Sequence, residues 1–128
     1  MSEEYTVKYD PDGAPVVMEV IIGDQQLGSY VVKERDINTE FLRVVKEGSN
    51  FDKKPDKFYL PSQGMALIGN HIDWVMSIAT PSDAPGQEYS AQVIFTQNGA
   101  RLSGSPEVRN GALNGSRVVI GFVQFQSI

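Results

Sequence analysis

Apolar residues recur at every second position along most of this chain, and a period of two commits it to strands. Val16, Met18, Val20 and Ile22 alternate with Val17, Glu19, Ile21 and Gly23. Leu27 to Lys33 follows after the polar break Gly23-Asp24-Gln25-Gln26, a pattern that predicts a hairpin. Ile72, Trp74, Met76 and Ile78 share one face of the segment His71 to Ala79, opposite Asp73, Val75 and Ser77. Met65 to Ile68 precedes it across Gly69-Asn70, which reads as the two-residue turn of a second hairpin. In the third, Tyr89, Ala91, Val93 and Phe95 alternate with Ser90, Gln92, Ile94 and Thr96 before Asn98-Gly99 turns the chain into Ala100 to Ser103. Asn-Gly is the strongest of these turn signals, because both central residues must take φ > 0.

Two short strands complete the pattern: Tyr5, Val7 and Tyr9 before the turn Asp10-Pro11-Asp12-Gly13, and Phe58 to Leu60. Arg117 to Gln126 closes the chain, with Val118, Ile120 and Phe122 on one face and Val119, Val123 and Phe125 on the other. A strand apolar on both faces is expected to be covered twice, the second time by a helix, by loops or by another subunit.

One segment departs from the alternation. Ile37, Phe41, Val44 and Val45 fall on a helical stripe, with Asp36 and Asn38 as candidate caps, Arg43 and Glu47 spaced i, i+4, and Gly48 placed to end a helix. The spacing predicts a short helix over Asn38 to Glu47, with a strand over Phe41 to Lys46 as the alternative.

At 128 residues the chain buries about two-thirds of its unfolded surface by area scaling, enough for one core without staples. The expected architecture is an all-β single domain spanning residues 1–128. It is an antiparallel β-sandwich, jelly-roll or immunoglobulin-like, with the one short helix in a crossover. A calycin-like β-barrel closed around a ligand cavity is the alternative.

Charge and composition narrow the function. Sixteen acidic against eleven basic residues leave a net charge of -5, which argues against nucleic acid and anionic membranes as partners. The absence of Cys removes disulfides, thiol nucleophiles and Cys zinc sites. Met1 to Tyr5 does not read as a secretory signal, and no apolar run approaches the ~20 residues of a membrane helix. The expectation is a cytoplasmic protein, with export by a leaderless route left open. Asn114-Gly115-Ser116 matches a glycosylation sequon but reads as turn chemistry in that setting.

Catalytic and metal-binding patterns are thin. His71 is the one histidine, beside Asn70 and Asp73, and reads as a solvated residue after a turn. A hydrolase built on it needs a serine and a carboxylate delivered by the fold, and no Gly-x-Ser-x-Gly elbow is present. Asp10-Pro11-Asp12-Gly13 opens like a calcium loop, but the fifth position is Ala14 and the twelfth is Ile21, so an Asx turn explains it better. The remaining loop acids Asp52, Asp56, Asp83 and Glu88 sit in other loops that a sandwich is able to bring together, and Lys53, Lys54 and Lys57 are interleaved with two of them. Glu19 alternates onto the face opposite Met18 and Val20 and is expected in solvent. No metal and no cofactor are expected.

Surface recognition is what remains. Tyr30, Tyr59, Tyr89 and Trp74 are aromatic side chains with a polar edge, suited to a sugar or peptide. Trp74 lies on the apolar face of its strand and reads as core, whereas Tyr30, between Ser29 and Val31, reads as outward-pointing. Tyr30, Tyr59, His71, Asp73 and Trp74 are the candidate binding residues. The functional expectation is a non-catalytic binding or assembly module that recognises a protein or glycan through loops or a sheet face and forms a homo-oligomer through its terminal strand. A carrier of small apolar ligands with a barrel cavity is the second reading, and a hydrolase using His71 the third.

Overall fold

The computed structural model describes residues 5–22, 27–39, 41–49, 56–79, 87–102, 107–113 and 116–128. Ten strands run in the order β1 (Tyr5–Tyr9), β2 (Val16–Ile22), β3 (Leu27–Arg35), β4 (Leu42–Ser49), β5 (Asp56–Tyr59), β6 (His71–Ala79), β7 (Gln87–Gln97), β8 (Ala100–Arg101), β9 (Glu107–Leu113) and β10 (Ser116–Ser127). One sheet has the order β1-β10-β6-β3-β4 and the other β5-β2-β7-β8, with β9 also paired to β7. All pairs are antiparallel except β1 with β10, where Tyr5 stands opposite Val123 in parallel register. The fold is a β-sandwich. It is not a closed barrel, so the interior ligand cavity of the calycin-like alternative does not form.

Strand alternation builds the core between the sheets. Val16, Met18, Val20 and Ile22 of β2 join Ile72, Trp74, Met76 and Ile78 of β6 and Val119, Val123 and Phe125 of β10 in one buried cluster. Fully burying a side chain of this kind contributes roughly 1.5–3 kcal/mol, which makes these inward rows the main source of stability. Phe95 of β7 meets Phe125 of β10 edge to face at 5.1 Å, and Phe125 meets Tyr9 of β1 at 5.8 Å, so three aromatic rings tie the two sheets. Trp74 lies over its cross-strand partner Gly121, where an added Cβ would sit 2.6 Å from the indole.

The turn Asn98-Gly99 forms as expected between β7 and β8, with φ of 53° and 79°. Three local expectations are corrected. The segments from Val16 and Leu27 do not form a hairpin: β2 pairs with β5 and β7, while β3 pairs with β4 and β6 in the other sheet. Both strands bury one face in the same core, and period two says which face is buried without saying which strand lies alongside. Met65 to Ile68 is not a strand either. Gly64–Leu67 is a 3-10 turn that buries only Leu67, and the Gly69 N–H is spent on the Phe125 carbonyl at the end of β10.

The helix over Asn38 to Glu47 is absent, and its alternative, a strand, is what forms. Asp36 does act as a cap, but of a turn: its Oδ1 accepts the N–H groups of Asn38 (2.8 Å) and Thr39 (3.1 Å). β4 then follows with a bulge, since Val32 pairs with Lys46 and the next residue, Lys33, with Val44. The extra residue, Val45, packs towards the core while Leu42 and Val44 stay exposed. One inserted residue shifts the alternation by one, and a shifted period of two imitates a helical stripe.

Candidate functional site

Removing the helix leaves the outer face of the β1-β10-β6-β3-β4 sheet without the cover expected for it. Val119, Val123 and Phe125 are buried as the terminal strand predicts, but Val118 and Ile120 are 59% and 66% exposed. Register places Val31, Val75 and Ile120 side by side across β3, β6 and β10, so an apolar row crosses the three central strands. Such a row cannot be dismissed as isolated surface residues.

The same face holds a shallow, open cleft of about 660 Å³. Val31, Val75, Ile120 and Phe122 form its apolar part, and the backbone at Trp74 and Gly121 lies beneath. Lys33, Arg35, His71 and Asp73 form its polar end, with Leu42 on the β4 side. Two contacts order that end. The His71 ring stacks on Phe122 with centroids 6.0 Å apart and planes 26° from parallel. The Asp73 carboxylate lies 3.9 Å from the Arg35 guanidinium on the neighbouring strand. Both members of that pair are partly in solvent, so it orients the side chains more than it stabilises the fold.

Behind the polar end lies a buried network whose charged member follows the alternation of its strand rather than its polarity. Glu34 shares the inward face of β3 with Tyr30 and Val32 and is 2% exposed. Ser62 Oγ donates to its Oε2 at 2.5 Å, Asn70 Nδ2 donates to the same oxygen at 2.8 Å, and Arg43 reaches Oε1 at 3.5 Å. Arg43 also donates to Ser62 Oγ at 2.9 Å, and Asn70 Oδ1 accepts the Ile37 N–H at 3.1 Å. Glu34 and Asn70 immediately precede or follow cleft residues in sequence (Arg35 and His71), so this network fixes the backbone from which both cleft side chains project. The buried carboxylate is tolerable because its oxygens are met by donors and by a cation.

The five candidate residues part company. His71 and Asp73 reach the cleft through their shared outward parity on β6. Trp74 faces the other way into the core, as its apolar stripe indicates, with 1% exposure. Tyr30 is corrected: it points inward, and its hydroxyl donates to Asp56 Oδ2 at 2.5 Å. The signal for this was its parity with Val32, opposite Lys33 and Arg35. Tyr59 is exposed, but on β5 of the other sheet, opposite Val17. The side chains of Tyr89 and Glu88, and residues Asp52, Lys53, Lys54, Asp83 and Asn114-Gly115, lie outside the described residues.

Asp10 Oδ1 accepts the Asp12 N–H at 2.9 Å and its carbonyl accepts the Gly13 N–H at 3.1 Å, an Asx turn. Among the described residues no group of three His, Asp or Glu side chains is gathered to hold a metal ion. Among them also, no helix is long and apolar enough to cross a membrane. Burial raises the Tyr9 hydroxyl above its ordinary pKa, and its proton is given to the Gly64 carbonyl in a structural contact. Compared with protein-family models, curated proteins and solved structures, the chain finds no match.

Proposed function

We propose that this protein is a non-catalytic binding and assembly module, and that it docks a protein surface on the outer face of the β1-β10-β6-β3-β4 sheet. The observation that carries the reading is the apolar row Val31, Val75 and Ile120 on the three central strands, extended along β10 by Val118. A sheet face turned to water ordinarily alternates to polar residues, and exposed contiguous apolar area of this kind marks contact surfaces. The edge of the sheet supports docking less well. β4 is bulged and carries Arg43, Lys46 and Glu47, which are devices that discourage strand addition.

A protein is favoured over a glycan by the chemistry of the face. The most exposed members of its apolar row are aliphatic, whereas sugars are held by exposed aromatic platforms with polar partners, and the Phe122–His71 stack at the polar end of the cleft is half-buried. Of the aromatic candidates, Tyr30 and Trp74 are in the core and Tyr59 is on the other sheet. A His71 hydrolase is less favoured because the neighbouring carboxylate, Asp73, faces Arg35. Self-association, expected from the doubly apolar terminal strand, is one form this docking takes.

Site-specific photo-crosslinking tests the reading. A photoreactive phenylalanine analogue at position 120 is expected to capture a protein surface, and the same group at position 59, equally exposed on the other sheet, is not. Capture at both positions alike, or at neither alongside binding on a glycan array, overturns it.

A further inference from the structure

We infer that the protein surface docked on this face is a second copy of the same chain, packed sheet against sheet about a twofold axis; the inference rests on the binding-module reading above. Three features of the face select that occupant. The first is shape. Five strands at ~4.8 Å spacing, with about four outward rows on β10, β6, β3 and β4 and two on β1, span a plane of at most about 24 Å by 24 Å. A peptide strand covers too little of such a plane, whereas another sheet covers it whole, as the two inner faces of this sandwich already do for one another.

The second is area. The plane amounts to at most roughly 580 Å² before the relief of side chains is counted, which puts it at the low end of the ~600–1,000 Å² per partner of a stable interface. Its centre is apolar and its polar groups stand at one end and along the sides, the distribution such interfaces show. The third is charge. The chain is at -5, yet this face carries Lys8, Lys33 and Arg35 against Glu47 and Asp73. Among the described residues this face is near-neutral, so two copies approach there with little repulsion. Both signs are present on it, so an isologous contact can set cations of one copy against anions of the other.

A closed pair also follows from the use of a single surface. A head-to-tail contact needs a second, different surface that complements the first, and the outer face of the other sheet is mixed, with Glu19, Lys57 and Tyr59 beside half-buried Val17 and Ile21 and with Ile94 already buried. Face-to-face packing uses one surface twice and stops at two.

Light scattering with size exclusion at about 10–100 μM reads the result. The expected mass is twice the 14.1 kDa of the chain. Ile120→Glu places a charge where the side chain is already in solvent, so the variant is expected to keep its far-UV spectrum and fall to 14.1 kDa. Tyr59→Glu on the other sheet is expected to leave the doubled mass unchanged. Because the chain contains no Cys, Val75→Cys on the central strand adds a lone thiol near the twofold axis. Oxidation is expected to trap it as a covalent dimer, with Tyr59→Cys trapping none. A wild-type mass of 14.1 kDa throughout the range overturns the inference. If position 120 still captures a different protein by photo-crosslinking, the binding-module reading survives that result, and if it captures nothing, both fall. A doubled mass that Ile120→Glu leaves intact, or that Tyr59→Glu abolishes, also overturns it.

Discussion

Gly121 offers the sharpest check on the packing of this sandwich. It pairs with Trp74 across β10 and β6, and a methyl group there would lie 2.6 Å from Cε2, Cζ2 and Nε1 of the indole. The ring has little room to yield, being 1% exposed and set against Phe95 at 6.5 Å. Overpacking of this kind costs typically 1–3 kcal/mol, while replacing glycine in a strand returns about 0.5–1 kcal/mol of backbone entropy. Gly121→Ala is therefore expected to destabilise the protein by about 1–2 kcal/mol net. Shrinking the partner separates the two contributions. With Trp74→Phe in place the clash is relieved, and the same alanine is expected to be neutral or stabilising by up to ~1 kcal/mol, a coupling of about 1–3 kcal/mol. Urea unfolding followed by far-UV circular dichroism measures all four proteins without relying on Trp74, the one tryptophan, as a probe. A coupling below about 0.5 kcal/mol would refute the argument, because Gly121 would then not be held open by the indole.

Other sites test other links. Glu34→Gln turns one acceptor oxygen into a donor facing Ser62, Asn70 or Arg43, and should cost about 2–4 kcal/mol by thermal or urea unfolding; Arg43→Ala, whose side chain is about half in solvent, should cost under ~1 kcal/mol. Gly99→Val puts a β-branched residue at φ 79° and should cost roughly 1–2 kcal/mol, so an unchanged melting temperature would contradict the turn. Asp36 accepts N–H bonds from Thr39 and Asn38, which lower its pKa below the ordinary 3.8. Its contribution is present above that value and is lost as the pH falls through the depressed one; a carboxyl titration by NMR with a midpoint at or above 3.8 would contradict it.

What the sequence revealed and what it concealed follow one physical line. Alternation is a local property, and it identifies β2, β6 and β7 together with their inward rows, and β10 as a strand apolar on both faces without saying which face is inward. Pairing is not local. Val16 and Leu27 lie close in sequence, yet their strands sit in opposite sheets, because either arrangement buries the same apolar rows. At Val45 a single bulged residue changed the apparent period, so a strand took on the pattern of a helix. Tyr30 shows the opposite failure: its parity with Val32 points inward, while its neighbours Ser29 and Val31 suggest an outward side chain, and Glu34 of the same parity carries no sequence signal of the network that buries it. Their partners explain the error. Asp56 lies 26 residues from Tyr30, and Asn70 lies 36 from Glu34, so the donors and acceptors that make burial affordable were invisible from either position alone. His71 and Asp73 were placed correctly as outward residues beside an inward Trp74. Their assembly with Arg35 and Phe122 depended on the neighbours that β6 acquires in the sheet.

β10 divides its residues between two tasks, and the division bears on why the outer row is apolar at all. Val119, Val123 and Phe125 supply the core, and replacing any of them removes area that folding has taken from water. Val118 and Ile120 keep most of their surface in solvent, so their apolar character adds little to the free energy of folding in an isolated chain. A threonine has the same preference for strands and would suit an exposed position at least as well. The aliphatic side chains instead raise the cost of leaving the face in water, and the resulting free energy is recovered only when something covers it. Because Val75 and Val31 continue the row on β6 and β3, the cover must extend across three strands. That breadth, more than any single residue on the face, is what sets the size of the partner proposed for it.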